Sequence, residues 1–420
     1  MMADNKQVVN EETPSLVVGL DIGTSKVLAV VAEVNDHHVI IRGLSRQKTY
    51  GVNAGEISDI EQVAAAVKNA ITDLEQQSEC RIYSLSASLS GKHIECYETG
   101  GMVPINRKEV TYKDKQEVLN TAYDMALPQG SEIINMIPQE YEIDKQKGIT
   151  NPIGMAGIRL AVKALAIAAA SNALDNTRKC IRRCNFDVDH FVFQGLASSI
   201  AVLTEDEKRL GVCLVDIGSG TLDLAIYING QLKDVVSIPF GGDFVTMDIA
   251  RVMHMSTDLA ESFKVKYGSA SVDRVPHGEM VSMPVHQGVK TVSRADLAAI
   301  IEPRYDDFFG LIRQTLKSNY YDHMLGAGLV FTGGAANIDG FVDAAISYFD
   351  QPVRVGYVKN VQLDPKLREK NINISDPEYA NVIGLLRTQQ EYLIHHRGLI
   401  EEAPKLTFLQ KVKKGLKQYF

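Results

Sequence analysis

GVCLVDIGSGTLDLAIY, residues 211–227, is the stretch from which the architecture of this chain can be read. Val212, Cys213, Leu214 and Val215 form an apolar run without polar alternation, the pattern of a strand buried on both faces. Leu222, Leu224, Ala225 and Ile226 supply a second such strand beyond a tight turn, Asp216-Ile217-Gly218-Ser219-Gly220-Thr221. Two glycines let the backbone approach a ligand closely and aim successive N–H groups at one point, as a phosphate requires. Asp216, at the end of a buried strand, is placed to hold a hydrated Mg²⁺. Taken by itself the stretch also describes an ordinary β-hairpin whose Asp and Gly residues serve only the turn.

Repetition decides between these readings. VVGLDIGTSKVLAVVAEV, residues 17–34, has the same grammar: apolar strand, Asp21-Ile22-Gly23-Thr24, apolar strand. Two such hairpins in one chain predict a duplicated α/β domain whose halves face each other across a single nucleotide. At these residues the sequence resembles the superfamily of actin, sugar kinases and chaperone ATPases.

Length and composition allow this. The 420 residues suffice for two large lobes, and 45% apolar with 23% charged residues describes a globular chain. A net charge of −8 argues against nucleic acid as the main partner. The five cysteines, at 80, 96, 180, 184 and 213, follow neither a metal-ligand spacing nor a disulfide framework. Residues 1–14 are polar and end in Pro14, which predicts a disordered lead-in rather than a signal peptide. With no apolar run of the roughly 18 residues a membrane span needs, a cytoplasmic location is expected.

Along the chain, residues 57–75 carry a helical period with Asp59 as a candidate N-cap. A block of different texture, about 84–166, includes an amphipathic stretch at 112–126 and reads as a small α+β insertion. Residues 194–201, QGLASSIA, and 378–386, EYANVIGLL, read as helices of small residues that permit close packing between lobes. Residues 293–318 predict a long helix interrupted near Pro303. LVFTGGAANIDGF, residues 329–341, reads as strand, glycine turn and helix start. Glu261 and Lys264, three apart on one helix face, describe a plain surface ion pair unless their context says otherwise.

Five segments thus stand in a fixed order: the Asp21 hairpin, the Gln194 helix, the Asp216 hairpin, the Gly333-Gly334 turn and the helix at 380–384. This is the phosphate-1, connect-1, phosphate-2, adenosine, connect-2 series of the actin superfamily. In detail, GLDIGTSKV, GLASSIAVLTEDE, AESFKVKYG, IIEPRY and TGGAANIDG are similar to the FtsA family of bacterial cell-division proteins, from Leu16 onward. The resemblance implies an α/β, actin-like (ribonuclease-H-like) two-lobed fold. Lobe 1 would comprise 15–83, 167–202 and 376–390, with subdomain 1C inserted at 84–166. Lobe 2 would comprise 203–255 and 326–375, with a small lobe at 256–325.

For the site, the resemblance implies ATP with Mg. Gly23, Thr24, Ser25 and Lys26, with Gly218, Ser219, Gly220 and Thr221 opposite, would hold the phosphates. Ser219 departs from the glycine frequent at its position, which bears on the turn's amide geometry. Asp21 and Asp216 would bind Mg²⁺ through water. Glu261, Lys264, Gly333, Gly334 and Asn337 would surround adenosine, and Gln194 would orient a water for slow hydrolysis. The resemblance further implies self-association into filaments, binding of the FtsZ C-terminal tail near Arg304 and Arg294, and other division proteins at 1C. It places the protein on the cytoplasmic face of the membrane at the division site. A metabolic kinase on the same fold would need a catalytic Asp after a third strand, and none presents itself. A pilus-type secretion adaptor is the other reading, and the C-terminus discriminates, because such an adaptor needs no membrane helix of its own.

That C-terminus is LTFLQKVKKGLKQYF, residues 406–420. At about 100° per residue, Phe408, Leu409, Val412, Leu416, Tyr419 and Phe420 share an arc of roughly 120°, while Lys411, Lys413, Lys414 and Lys417 occupy the rest. A helix with these two faces is expected to lie in a membrane interface, released from the body by a linker at 391–405.

Overall fold

The computed structural model describes residues 15–124, 127–285 and 288–402. The lead-in at 1–14 and the amphipathic segment at 406–420, with all of its apolar and lysine positions, lie outside the described residues.

Two sheets built on one plan carry the two lobes. In the first, Ser15–Ile22, Lys26–Val34 and Val39–Lys48 form an antiparallel meander. Ser84–Leu89 and Asp187–Phe193 extend it in parallel on the Ser15–Ile22 side. In the second, Val212–Ile217, Leu222–Ile228 and Gln231–Ile238 form the meander. Gly328–Thr332 and Val353–Val355 extend it in parallel on the corresponding side. The duplication inferred from two short hairpins is therefore a duplication of whole sheets.

Strand Val212–Ile217 shows why its sequence lacks alternation. Every residue in it is buried. Val212 and Leu214 point into the core shared with lobe 1, whereas Cys213, Val215 and Ile217 point into the lobe 2 core. A strand with a core on each face reads as a continuous apolar run, here broken only by Asp216 near its end. Between the sheets lie the helices Gln194–Val202 and Ala380–Glu402, whose small residues allow them to pack on each other.

Three boundaries differ from the sequence reading. Ser84–Leu89 pairs within the lobe 1 sheet, so the insertion begins after it. Gln362–Leu363 also joins that sheet, in parallel with Ile40 and Ile41, which returns the chain to lobe 1 before residue 375. Helix Ala380–Glu402 continues through much of the segment expected as a linker.

The insertion is a four-stranded sheet in the order Glu95–Pro104, Arg159–Ala170, Ser131–Ile143, Gln146–Ile149. Helix Tyr112–Tyr123, opened by a capping box between Thr111 and Asp114, buries Val118 and Ala122 against it.

In lobe 2, helix Arg294–Ser318 runs unbroken through Pro303. Leu297, Ile301, Tyr305, Phe308, Phe309 and Ile312 form one fully buried stripe, and its packing outweighs the hydrogen bond that the proline forfeits. Helix Ile60–Ser78 starts at Asp59, whose carboxylate accepts from the N–H groups of Glu61 and Gln62.

Candidate functional site

Both hairpin tips make the same turn. The N–H of Gly23 donates to the Lys26 carbonyl at 2.9 Å, and that of Gly218 donates to the Thr221 carbonyl at 2.9 Å. Ser219 needs no glycine-like conformation, since its φ is not positive. The tips confront each other across the cleft. A Cβ on Gly220 would stand 2.2 Å from Thr24 Oγ1, so a side chain there would push the halves apart.

Behind the tips lie carboxylates that water cannot reach freely. Asp21 is buried and accepts from Ser88 Oγ at 2.9 Å, and Ser88 Oγ in turn accepts from Asn381 Nδ2 at 3.0 Å. Asp216 accepts from Ser198 Oγ at 2.5 Å and from the side chain of Gln194. Burial raises the pKa of both, that of Asp216 to about 7, with Asp223 and Asp21 adding repulsion. A third buried carboxylate, Asp223, accepts from Ser90 Oγ at 2.7 Å and Thr221 Oγ1 at 2.9 Å, and burial pushes it up to about 6. Carboxyl groups held here are costly to ionise until a cation comes near them.

The opposite wall is built from lobe 2. Lys264 Nζ sits 2.7 Å from Glu261 and donates to Thr246 Oγ1 at 2.8 Å and to the Gly242 carbonyl at 3.1 Å. Its side chain is 11% exposed, so the pair is more sheltered than an ordinary surface ion pair. Gly333 has φ +86°, and a Cβ on it would stand 2.3 Å from Asp216 Oδ1, which leaves room for glycine alone. Gly334 opens the short turn Gly334–Asn337, and Asn337 Nδ2 donates to Asp376 at 2.6 Å.

These walls enclose a cleft of about 350 Å³, within the range of small-molecule sites. All the residues assigned from the sequence to phosphate, metal, adenosine and water line it. Lys26 lines it too, yet its ammonium pairs with Glu378. Among the described residues no cluster of three or more acidic, His or Cys side chains is arranged to hold a metal directly.

The structure adds Arg46, Ser90, Asp376, Glu378 and Asn381 to the lining. Asp376, Glu378 and Asn381 come from one short segment. The sequence reading starts a helix at Glu378, whereas Pro377–Tyr379 is a separate turn and the helix starts at Ala380. The Asp-Pro pair at 376–377 was the signal for a turn.

Arg304 and Arg294 are not brought together. Arg304 donates to Asp248 at 2.8 and 2.6 Å and to Asp307 at 3.1 Å, with its guanidinium over Phe240 and Phe244. Arg294 pairs with Glu279 at 3.0 Å and Asp339 at 2.7 Å and donates to the Tyr267 carbonyl.

Comparison with known proteins places this geometry. The family model described as "Cell division protein FtsA" matches residues 213–384, and that described as "SHS2 domain inserted in FTSA" matches 91–168. The chain is 36% identical to the cell division protein FtsA of Pseudomonas aeruginosa, over 97% of this chain and 99% of that one. The chain belongs to the FtsA family. It is also 39% identical to FtsA of Escherichia coli K12, over 92% of this chain and 93% of the relative. Membership makes it a cell-division protein and sets aside the secretion-adaptor and kinase readings.

Solved structures agree on the fold. A PilM–PilN type IV pilus biogenesis complex superposes with TM-score 0.61 at 17% identity, covering 89% of this chain and 98% of that one. MreB5 of Spiroplasma citri, bound to ADP, superposes with TM-score 0.52 at 14% identity, covering 92% and 99%. The fold of this FtsA-family chain is actin-like. Among the described residues no helix is long and apolar enough to cross a membrane.

Proposed function

We propose that the cleft binds ATP with Mg²⁺, and that the bound protein assembles with further copies of itself to tie FtsZ to the membrane at the division site. The observation that carries the nucleotide part is the confrontation of two equivalent hairpin tips, with Asp21 and Asp216 buried behind them. Among the described residues neither carboxylate is spent on an ion pair; both are oriented by hydroxyl donors, and both sit where burial disfavours their charge. A hydrated divalent cation with its phosphates fits those requirements. Mg²⁺ would neutralise charge on the phosphate oxygens. Gly23, Thr24, Ser25, Gly218, Ser219, Gly220 and Thr221 would present backbone N–H groups to them. Glu261, Lys264, Gly333, Gly334 and Asn337 would frame adenosine. Gln194, bonded to Asp216, would orient a water, which would allow slow hydrolysis at most.

The partner and membrane parts rest on family membership and the C-terminal sequence. An acidic FtsZ tail would pair with Arg304 on the 256–325 lobe, and less readily with Arg294, whose side chain is 17% exposed against 24% for Arg304. Other division proteins would meet subdomain 1C. Residues 406–420 would lie in the membrane interface, each lysine contributing about 1 kcal/mol on an anionic leaflet. Filament formation would multiply that weak attachment through effective concentration.

Cosedimentation with anionic vesicles tests the adaptor role. The full chain should pellet with vesicles and, with ATP, carry an FtsZ tail peptide down, whereas a chain lacking residues 406–420 should stay in solution while still binding ATP. Equal pelleting of the truncated chain would refute the anchor.

A further inference from the structure

The turn Pro377–Tyr379 projects one carboxylate into the cleft on the side of the first hairpin. Glu378 pairs there with Lys26 Nζ and lies 3.2 Å from Arg46. It is not a loose surface group. Its own N–H donates to Asp376 Oδ1 at 3.0 Å, and the neighbouring Pro377 carbonyl accepts from the Gly333 N–H and from Thr332 Oγ1. The Glu378 side chain is 16% exposed and that of Lys26 is 17% exposed, so the pair is mostly screened from water. Burial alone would raise the pKa of Glu378, but Lys26 and Arg46 hold it below the usual carboxylate range.

Lys26 directly follows the backbone N–H groups assigned to phosphate. One fixed carboxylate thus occupies two cations that line the cleft, with one positive charge left over. A phosphate entering the cleft must take Lys26 from a partner already in place.

Resting on the nucleotide reading of the cleft, we propose that Glu378 competes with nucleotide phosphate for Lys26 and Arg46, and so sets how strongly the site favours a polyphosphate over an uncharged nucleoside. Glu378 acts through those cations as a positioning residue. A purely structural ion pair would behave differently, since its loss would loosen the turn and weaken every ligand alike.

Calorimetric titration of the full chain with Mg-ATP and with adenosine separates the two. Glu378→Gln keeps the shape and removes the charge. It should tighten ATP about five- to tenfold, the worth of one sheltered pair, and leave adenosine unchanged. Glu378→Asp, which keeps the charge, should stay close to the native protein. In a Lys26→Met, Arg46→Met background Glu378→Gln should change nothing. ATP affinity that is unaltered or weakened by Glu378→Gln, or a gain shared equally by adenosine, would overturn the proposal while leaving the nucleotide site standing. Native protein that binds no ATP would remove the nucleotide reading itself.

Discussion

Gly384 and Ala197 touch backbone to backbone: a Cβ on Gly384 would stand 1.8 Å from the Ala197 carbonyl oxygen. The helices Gln194–Val202 and Ala380–Glu402 therefore cross at a distance only glycine permits. They carry Gln194, Ser198 and Asn381, the side chains that orient the buried carboxylates directly or through Ser88. Gly→Ala inside a helix ordinarily stabilises it, but here the added methyl meets rigid backbone. Gly384→Ala should cost about 1–3 kcal/mol by overpacking and weaken nucleotide binding along with it. Urea unfolding together with ATP titration checks both, and an unchanged midpoint would contradict the packing argument.

Phe309 sits at the centre of the lobe 2 aromatic cluster, with Phe331, Phe341, Tyr348 and Phe349 all within 6.0 Å between ring centroids. It has no exposed surface. Phe309→Ala should cost about 3–5 kcal/mol, the usual loss for a large buried aromatic. Hydrogen exchange should locate the loss in lobe 2, because the cluster around Phe309 is distinct from the core that lobe 1 shares with the other face of the lobe 2 sheet.

Arg354 grips both carboxylate oxygens of Glu207, at 2.6 and 2.8 Å. Burial works to raise the pKa of Glu207, but Arg354 and the hydrogen bonds from Thr204 outweigh it and hold it at about 2. A carboxylate depressed in the folded state stabilises above its unfolded value, and that contribution disappears as pH falls through the folded one. Arg354→Leu should therefore cost about 1 kcal/mol at neutral pH, and the gap should close as pH falls from about 4.5 to about 2. A gap constant with pH would mean that packing, not charge, is what Arg354 supplies.

Arg304 is held by Asp248 and Asp307, so a tail carboxylate gains only the part of its charge that those leave. Arg304→Glu should lower FtsZ tail-peptide affinity by about tenfold or more through like-charge repulsion. Fluorescence anisotropy at low salt measures this, and unchanged affinity would remove the helix Arg294–Ser318 from the partner surface.

Sequence alone carried the fold a long way because its deciding features were local. Asp21-Ile22-Gly23 and Asp216-Ile217-Gly218 each make their turn with neighbours only, so their chemistry is visible in a short window. Pairings between distant segments were not visible in this way. Nothing in the sequence of Gln362–Leu363 says that it joins a strand at residues 40–41. The contributions of Arg46 and Glu378 to the cleft likewise arise from segments more than 300 residues apart. Pro303 was read by its backbone rule, and the apolar stripe around it overrode that rule.

The central claim is that the two hairpin tips jointly hold one Mg-ATP. Calorimetric titration of Mg-ATP into the native chain and the Asp216→Ala variant tests it most directly. The account predicts one site per chain whose affinity depends on Mg²⁺, and a marked weakening in Asp216→Ala without loss of the folded state. ATP affinity identical in the two proteins would contradict the assignment of this hairpin and, with it, the reading of the cleft.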